Sequence, residues 1–200
     1  MDRREFSHGV RNMKIFVSGG CKNGKSFYAQ HLAKDAACSA GVSIPLYYVA
    51  TMRPADCEDE ARIKRHIDER AGWGFITIEQ HNKIEEIIDK CDNDGSFLLD
   101  SLTALLADEM FSPDGSVDEL GVQRVIDGVE KVLTKVNTIV VVSDYIYSDA
   151  IIYDPLTENY RKGLAAIDKA AAKMCDVVLE VSFAKVIVHK GAELFTLGDL

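Results

Sequence analysis

The octapeptide Gly19-Gly20-Cys21-Lys22-Asn23-Gly24-Lys25-Ser26 carries the clearest chemistry in the chain. Its spacing is G-x-x-x-x-G-K-S, and each position has a task in holding a polyphosphate. The glycines admit backbone conformations closed to other residues and let the chain come close to phosphate oxygens. Successive N–H groups then converge on an anion, and the positive end of a following helix adds to the attraction. Lys25 reaches the β- and γ-oxygens, and Ser26 offers a hydroxyl to Mg2+. A glycine-rich surface turn would show similar letters, but the flanks decide against it. The apolar run Lys14-Ile-Phe-Val-Ser18 precedes the glycines, and a helical stretch to about Ala37 follows them. Gly19 to Ser26 are therefore read as nucleotide-binding residues, with Lys25 catalytic and Ser26 a metal ligand.

A carboxylate is the second requirement. Gly95-Ser-Phe-Leu-Leu-Asp100 reads as a buried strand ending in an acid, the form that presents a magnesium-directed aspartate in phosphate-binding-loop enzymes. Asp100 is accordingly assigned a catalytic and a metal-binding role. Thr138 to Ser143, the most strand-like run in the chain, leads into Asp144, a second candidate. Ligands of open parallel sheets gather at the carboxyl ends of strands, so both acids are expected to face the nucleotide.

These residues need a sheet to position them. Short apolar runs alternate with helical stretches, which predicts an α/β domain with a mainly parallel sheet, here the three-layer P-loop NTPase (RecA-like) fold. Strands are expected at 14–18, 45–51, 75–78, 95–100, 138–143, 176–182 and 185–189. Helices are expected from the first glycine turn to 37 and at 56–70, 83–90, 102–111, 118–136 and 158–174. Ser112 to Gly115 is a turn by composition, and 144–157 a tyrosine-bearing loop.

Composition narrows the function classes. Two hundred residues, 47% hydrophobic and 28% charged, suit one globular domain. No apolar run reaches the length of a membrane span. The net charge of −9 disfavours a nucleic-acid partner, which would select a basic face. Met1 to Asn12 is polar and lacks the apolar stretch of a secretory signal. The expectation is a cytoplasmic protein with a flexible leader over 1–12, a single domain over 13–200, and Met13 as an alternative start. The five cysteines form no C-x-x-C pair and the five histidines no cluster, so reduced thiols are expected rather than a disulfide framework or a zinc site.

Several further motifs, in order along the chain, resemble the bifunctional adenosylcobinamide kinase/adenosylcobinamide-phosphate guanylyltransferases of cobalamin biosynthesis. They are Val17 to Ser26, Tyr48-Val-Ala-Thr51, Arg62-Ile-Lys-Arg-His66 with Arg70 and Trp73, Thr77-Ile-Glu79, Leu98-Leu-Asp-Ser-Leu-Thr103, Tyr160-Arg161 and Asp176-Val-Val. The likeness spans Lys14 to about Lys190. It implies two reactions on one scaffold, with ATP or GTP as substrate, Mg2+ as cofactor and a corrinoid, adenosylcobinamide, as acceptor. A kinase step phosphorylates the aminopropanol hydroxyl, and GMP is then transferred from GTP through a guanylyl-histidine. By position His66 is the catalytic histidine, and Arg62, Arg65 and Arg70 are nucleotide-binding residues that steady the transferring phosphates. A homo-oligomer, a trimer, is implied as well.

The C-terminal third departs from that pattern. Where the family carries Ser-Asn-Glu-Val-Gly, this chain has Ser143-Asp-Tyr-Ile-Tyr147. Ala165, Asp168 and Lys169 stand where the family has a glycine and an Asn-Gln pair. Two other functions fit these departures: a divergent kinase or NTPase with another acceptor, and a nucleotide-binding regulatory protein.

Overall fold

Alternating side-chain burial on each strand sets the layers. The structure is a computed structural model, and it describes residues 12–38, 44–54, 56–112, 114–183 and 185–194, with the side chain of Arg62 excepted. The strands are β1 (Lys14–Gly19), β2 (Leu46–Ala50), β3 (Phe75–Glu79), β4 (Ser96–Asp100), β5 (Thr138–Asp144), β6 (Val177–Ser182) and β7 (Lys185–Lys190). They form one sheet in the order β3-β2-β4-β5-β1-β6-β7. Every neighbouring pair is parallel except β6 with β7. On β4, Leu98 is buried against one layer while Phe97 and Leu99 are buried against the other. Val140 and Val142 of β5 go with Leu98, and Ile139 and Val141 with Phe97. Two buried clusters result, one on each face of the sheet, as in a three-layer α/β fold.

The helices are α1 (Lys25–Cys38), α2 (Cys57–Glu69), α3 (Ile87–Lys90), α4 (Leu102–Met110), α5 (Gly121–Lys135) and α6 (Pro155–Met174). Helix α1 covers one face with Ala29, Leu32, Ala33 and Ala36. Helices α4, α5 and α6 cover the other, with Leu105, Val129, Leu133 and Ile167 in its cluster. Full burial of each leucine, valine or isoleucine among them stabilises the fold by about 1.5–3 kcal/mol. Among the described residues, helix α2 contributes no side chain to either buried cluster. It is capped by Asp56, whose Oδ1 accepts from the backbone N–H of Glu58 and Asp59 at 2.8 and 2.9 Å. Beyond its end, Trp73 packs edge-on against His31 of α1, ring centres 4.6 Å apart, with Lys34 over the indole.

Three expected helix starts shift. The helix expected from residue 83 is a 3-10 turn over Ile84–Glu86 that leads into α3 at Ile87. Helix α6 begins at Pro155 rather than Glu158. The Asp154 side chain caps it by accepting from Leu156 and Thr157 N–H, and proline at the first position is already helical in φ. Helix α5 begins at Gly121 rather than Asp118, because the Asp118 carboxylate accepts from Leu120 N–H and binds Arg124, closing a turn ahead of the helix. Of the expected leader, residues 1–11 lie outside the described residues. Asn12 donates its N–H to Thr138 Oγ1 at 3.0 Å. Among the described residues no helix is long and apolar enough to cross a membrane.

Candidate active site

The phosphate-binding loop sits where β1 meets α1. Asn23 ties it to the neighbouring strand: its Nδ2 donates to the carbonyl of Val181 at the end of β6, while its Oδ1 accepts from Lys25 N–H at 3.2 Å. The approach leaves no room for a side chain at Gly19, where a Cβ would stand 2.4 Å from Val181 O. Gly24 has φ +89°, a left-handed value that suits glycine. Its carbonyl accepts from Tyr28 N–H at 3.0 Å, opening the first turn of α1.

Lys25 is 5% exposed. Its Nζ donates to Gly20 O at 3.2 Å and forms an ion pair with Asp144 Oδ1. Strand parity explains the pairing. Asp144 shares the side of Val140 and Val142, which is the α1 side, and α1 begins at Lys25. The backbone N–H of Asp144 donates to Thr103 Oγ1 at 2.9 Å, and Thr103 O accepts from Tyr160 Oη at 2.7 Å. Burial, then the charges of Asp144 and Asp168, push the Tyr160 phenol well above its ordinary value.

Asp100 ends β4 with the parity of Leu98, so it too lies on the α1 side. Tyr48 Oη donates to its Oδ2 at 2.9 Å. The guanidinium of Arg70 stacks on the Tyr48 ring, 3.9 Å from its centre, and donates to Thr77 Oγ1 at 3.3 Å. The buried Thr51 hydroxyl accepts from Ser101 N–H at 2.7 Å and donates to Ser101 O at 2.8 Å, which clasps the end of β2 to the end of β4.

These groups meet around a cavity of about 400 Å³. Asp100, Asp144 and Tyr160 lie on its wall beside His66 and Arg70, and Ile63 and Ile67 of α2 supply an apolar side. His66 Nδ1 lies 3.4 Å from Glu69 Oε2, one turn on, so the acid can orient the ring. His81 also lines the cavity, with Nδ1 3.1 Å from Thr51 O. A carbonyl only accepts, so His81 Nδ1 carries the proton there.

The site residues expected from sequence are only partly gathered. Lys25, Asp100, His66 and Arg70 fall in or beside one region. Residues 19–26 do not line the 400 Å³ cavity and meet it through Asp144. Arg65 is exposed and absent from the cavity wall, because it lies off the helix face that carries residues 63, 66, 67 and 70. The side chain of Arg62 lies outside the described residues. Tyr48, Thr51, His81 and Thr103 were not picked out as site residues. Their roles depend on partners about 30 to 50 residues away, which no local pattern shows.

A second cleft, of about 420 Å³, opens on the other face of the sheet between α6 and β6. Tyr145, Tyr147, Ala165, Asp168 and Lys169 line it. These include the positions at which the sequence departs from the family pattern. Asp168 is 3% exposed, with Tyr147 Oη donating to its Oδ2 at 3.0 Å. Burial pushes its carboxyl up to about 7, helped by the charge of Asp144 and opposed by the hydroxyls of Ser143 and Tyr147.

The sequence profile of the family described as "Cobinamide kinase / cobinamide phosphate guanyltransferase" (CobU) matches residues 15–185. The chain belongs to this family. Two CobU relatives, each named "Bifunctional adenosylcobalamin biosynthesis protein CobU", are those of Salmonella typhimurium LT2 and Escherichia coli K12. They are 32% and 31% identical over 107 residues, 53% of this chain and 55% of theirs. The chain thus spans about half the length of the curated relatives it matches. Among solved structures, the flagellar accessory protein FlaH of Methanocaldococcus jannaschii aligns with a TM-score of 0.49 at 12% identity, over 90% of this chain and 79% of its own. Ser26 and Asp100 are hard oxygen donors of the kind Mg2+ takes. Among the described residues no group of three or more His, Cys, Asp or Glu side chains is placed to hold a metal.

Proposed function

We propose that this chain phosphorylates adenosylcobinamide with ATP or GTP and then transfers GMP from GTP to the product through a guanylyl-histidine. The observation that carries the reading is the meeting of Lys25, Asp144 and Asp100 at the edge of a cavity that also holds His66.

In the kinase step the loop amides and Lys25 hold the β- and γ-phosphates. The hydroxyl of the acceptor attacks the γ-phosphorus, its proton leaves to a carboxylate or to water, and the β–γ bridge breaks with release of the diphosphate. Ser26 and Asp100 would hold Mg2+, which neutralises charge on the phosphate oxygens when bound. In the second step a ring nitrogen of His66 attacks the α-phosphorus of GTP. An N–P bond forms and pyrophosphate leaves. A phosphate oxygen of the acceptor then attacks the same phosphorus, and the N–P bond breaks to restore the imidazole. Arg70, held on Tyr48, supplies positive charge near that transfer.

The test uses GTP labelled at the α-phosphate. The wild-type protein should retain an acid-labile, base-stable label, and His66→Asn should retain none. His81→Asn, which removes the other cavity histidine, should still be labelled. Equal labelling of His66→Asn would remove His66 from its role, and loss of label only in His81→Asn would transfer the role.

One observation favours a second reading, a kinase of this family with a different acceptor. The altered residues Tyr145, Tyr147, Ala165, Asp168 and Lys169 are gathered in one cleft rather than scattered. Phosphate transfer to adenosylcobinamide in a turnover assay excludes that reading, and nucleotide binding without transfer supports it.

A further inference from the structure

The phosphate-binding lysine is not poised in open solvent. Its ammonium is buried against the Asp144 carboxylate and the Gly20 carbonyl, and the two side chains of the pair are 6% and 12% exposed. A triphosphate entering the loop needs that ammonium and therefore competes with a carboxylate already bonded to it. Asp144 is held in place independently of the lysine: its N–H is fixed by Thr103, which Tyr160 braces in turn, and β5 is buried along its whole length. The carboxylate thus stays at the cavity wall when Lys25 leaves it.

We propose that Asp144 is a latch on Lys25. It holds the lysine in the nucleotide-free enzyme, opposes a metal-free triphosphate, and is released to face the metal-bound form. This rests on the reading of residues 19–26 as a nucleotide site. The physics is a three-way exchange. With a metal-free nucleotide, the phosphates take Lys25 and leave Asp144 as a bare buried carboxylate near polyphosphate charge, an expensive arrangement. With a metal-bound nucleotide, the cation balances the freed carboxylate. The latch therefore makes the loop discriminate between free and metal-complexed nucleotide before any chemistry. Where the motif that this chain resembles has the neutral Asn, this chain has Asp144, and the discrimination follows from that charge.

The test is titration calorimetry of Asp144→Asn and wild type with ATP and with GTP, each in EDTA and in excess Mg2+. The Asn variant keeps the backbone bond to Thr103 and the side-chain shape, and thermal melting checks that it folds. In EDTA the variant should bind at least tenfold more tightly than wild type. In Mg2+ the wild type should gain at least tenfold over its EDTA value, and at least threefold more than the variant gains. A second measurement needs no nucleotide: acylation of Lys25 by an amine-reactive ester, followed by peptide mass spectrometry, should be at least fivefold faster in the variant. Unchanged or weaker EDTA binding in the variant, or unchanged Lys25 reactivity, overturns the latch while leaving the nucleotide site intact. Failure of the wild type to bind either nucleotide with Mg2+ overturns the nucleotide site and the latch together.

Discussion

Replacing Asp168 by Asn should make the protein more stable, and increasingly so as pH rises. The carboxyl is buried and keeps its proton up to about pH 7, well above the ordinary aspartate range. Three pH units at 1.36 kcal/mol each give roughly 4 kcal/mol as the cost of ionising it in place. The unfolded chain releases this proton near pH 3.9, so between there and about 7 the folded state binds more protons than the unfolded one. In that window stability falls as pH rises, and above it the full cost is present. Asn has no such titration and still accepts from the Tyr147 hydroxyl. The stability difference between variant and wild type should therefore grow by about 2 kcal/mol between pH 5.5 and pH 8. Urea denaturation at both pH values, with m-values compared to confirm a common unfolding reaction, measures it. Parallel pH dependences in the two proteins would refute the reasoning and show that Asp168 is ionised in the fold.

Two other substitutions probe the frame of the site. Gly19→Ala should weaken binding of Mg-complexed ATP or GTP at least a hundredfold, since the new Cβ meets the Val181 carbonyl at 2.4 Å; calorimetry showing wild-type affinity would contradict the loop geometry. Arg161→Met should cost about 3 kcal/mol. The 7%-exposed guanidinium donates to Ile146 O, Asp149 and Glu158 and lies over the Tyr153 ring, so the variant should speed amide exchange in residues 146–149. Arg161→Lys should recover little, because an ammonium lacks the planar fork.

The sequence reveals the parts of this site that are local. The phosphate loop is one contiguous segment flanked by a strand and a helix, so its task can be read directly. The ends of β4 and β5 are legible because buried strands are apolar runs and an acid at the end stands out. The partnership of Asp144 with Lys25 is another matter, since it depends on β5 lying beside β1, and strand order is a property of the whole sheet. The bond from Tyr48 to Asp100 and the Thr51–Ser101 clasp are equally invisible, with partners about 50 residues apart in sequence. Arg65 is set apart by a signal that is legible in the sequence. Helical periodicity puts residues 63, 66, 67 and 70 on one face and leaves residue 65 off it. The start of α6 was likewise spelled out by Asp154-Pro155, a cap and a helix-compatible first residue.

On the proposed reading, the absence of described α2 side chains from both buried clusters would give the two ends of a bound nucleotide very different footings. The proposed grip on the terminal phosphates is anchored on the largely buried central strands β1 and β5. His66, the proposed nucleophile, rides on a peripheral segment, fastened by the stacking of Arg70 on Tyr48 and of Trp73 on His31. One binding site would then serve two displacements at different phosphorus atoms, with the terminal phosphates gripped from the sheet and the nucleophile presented from outside both cores.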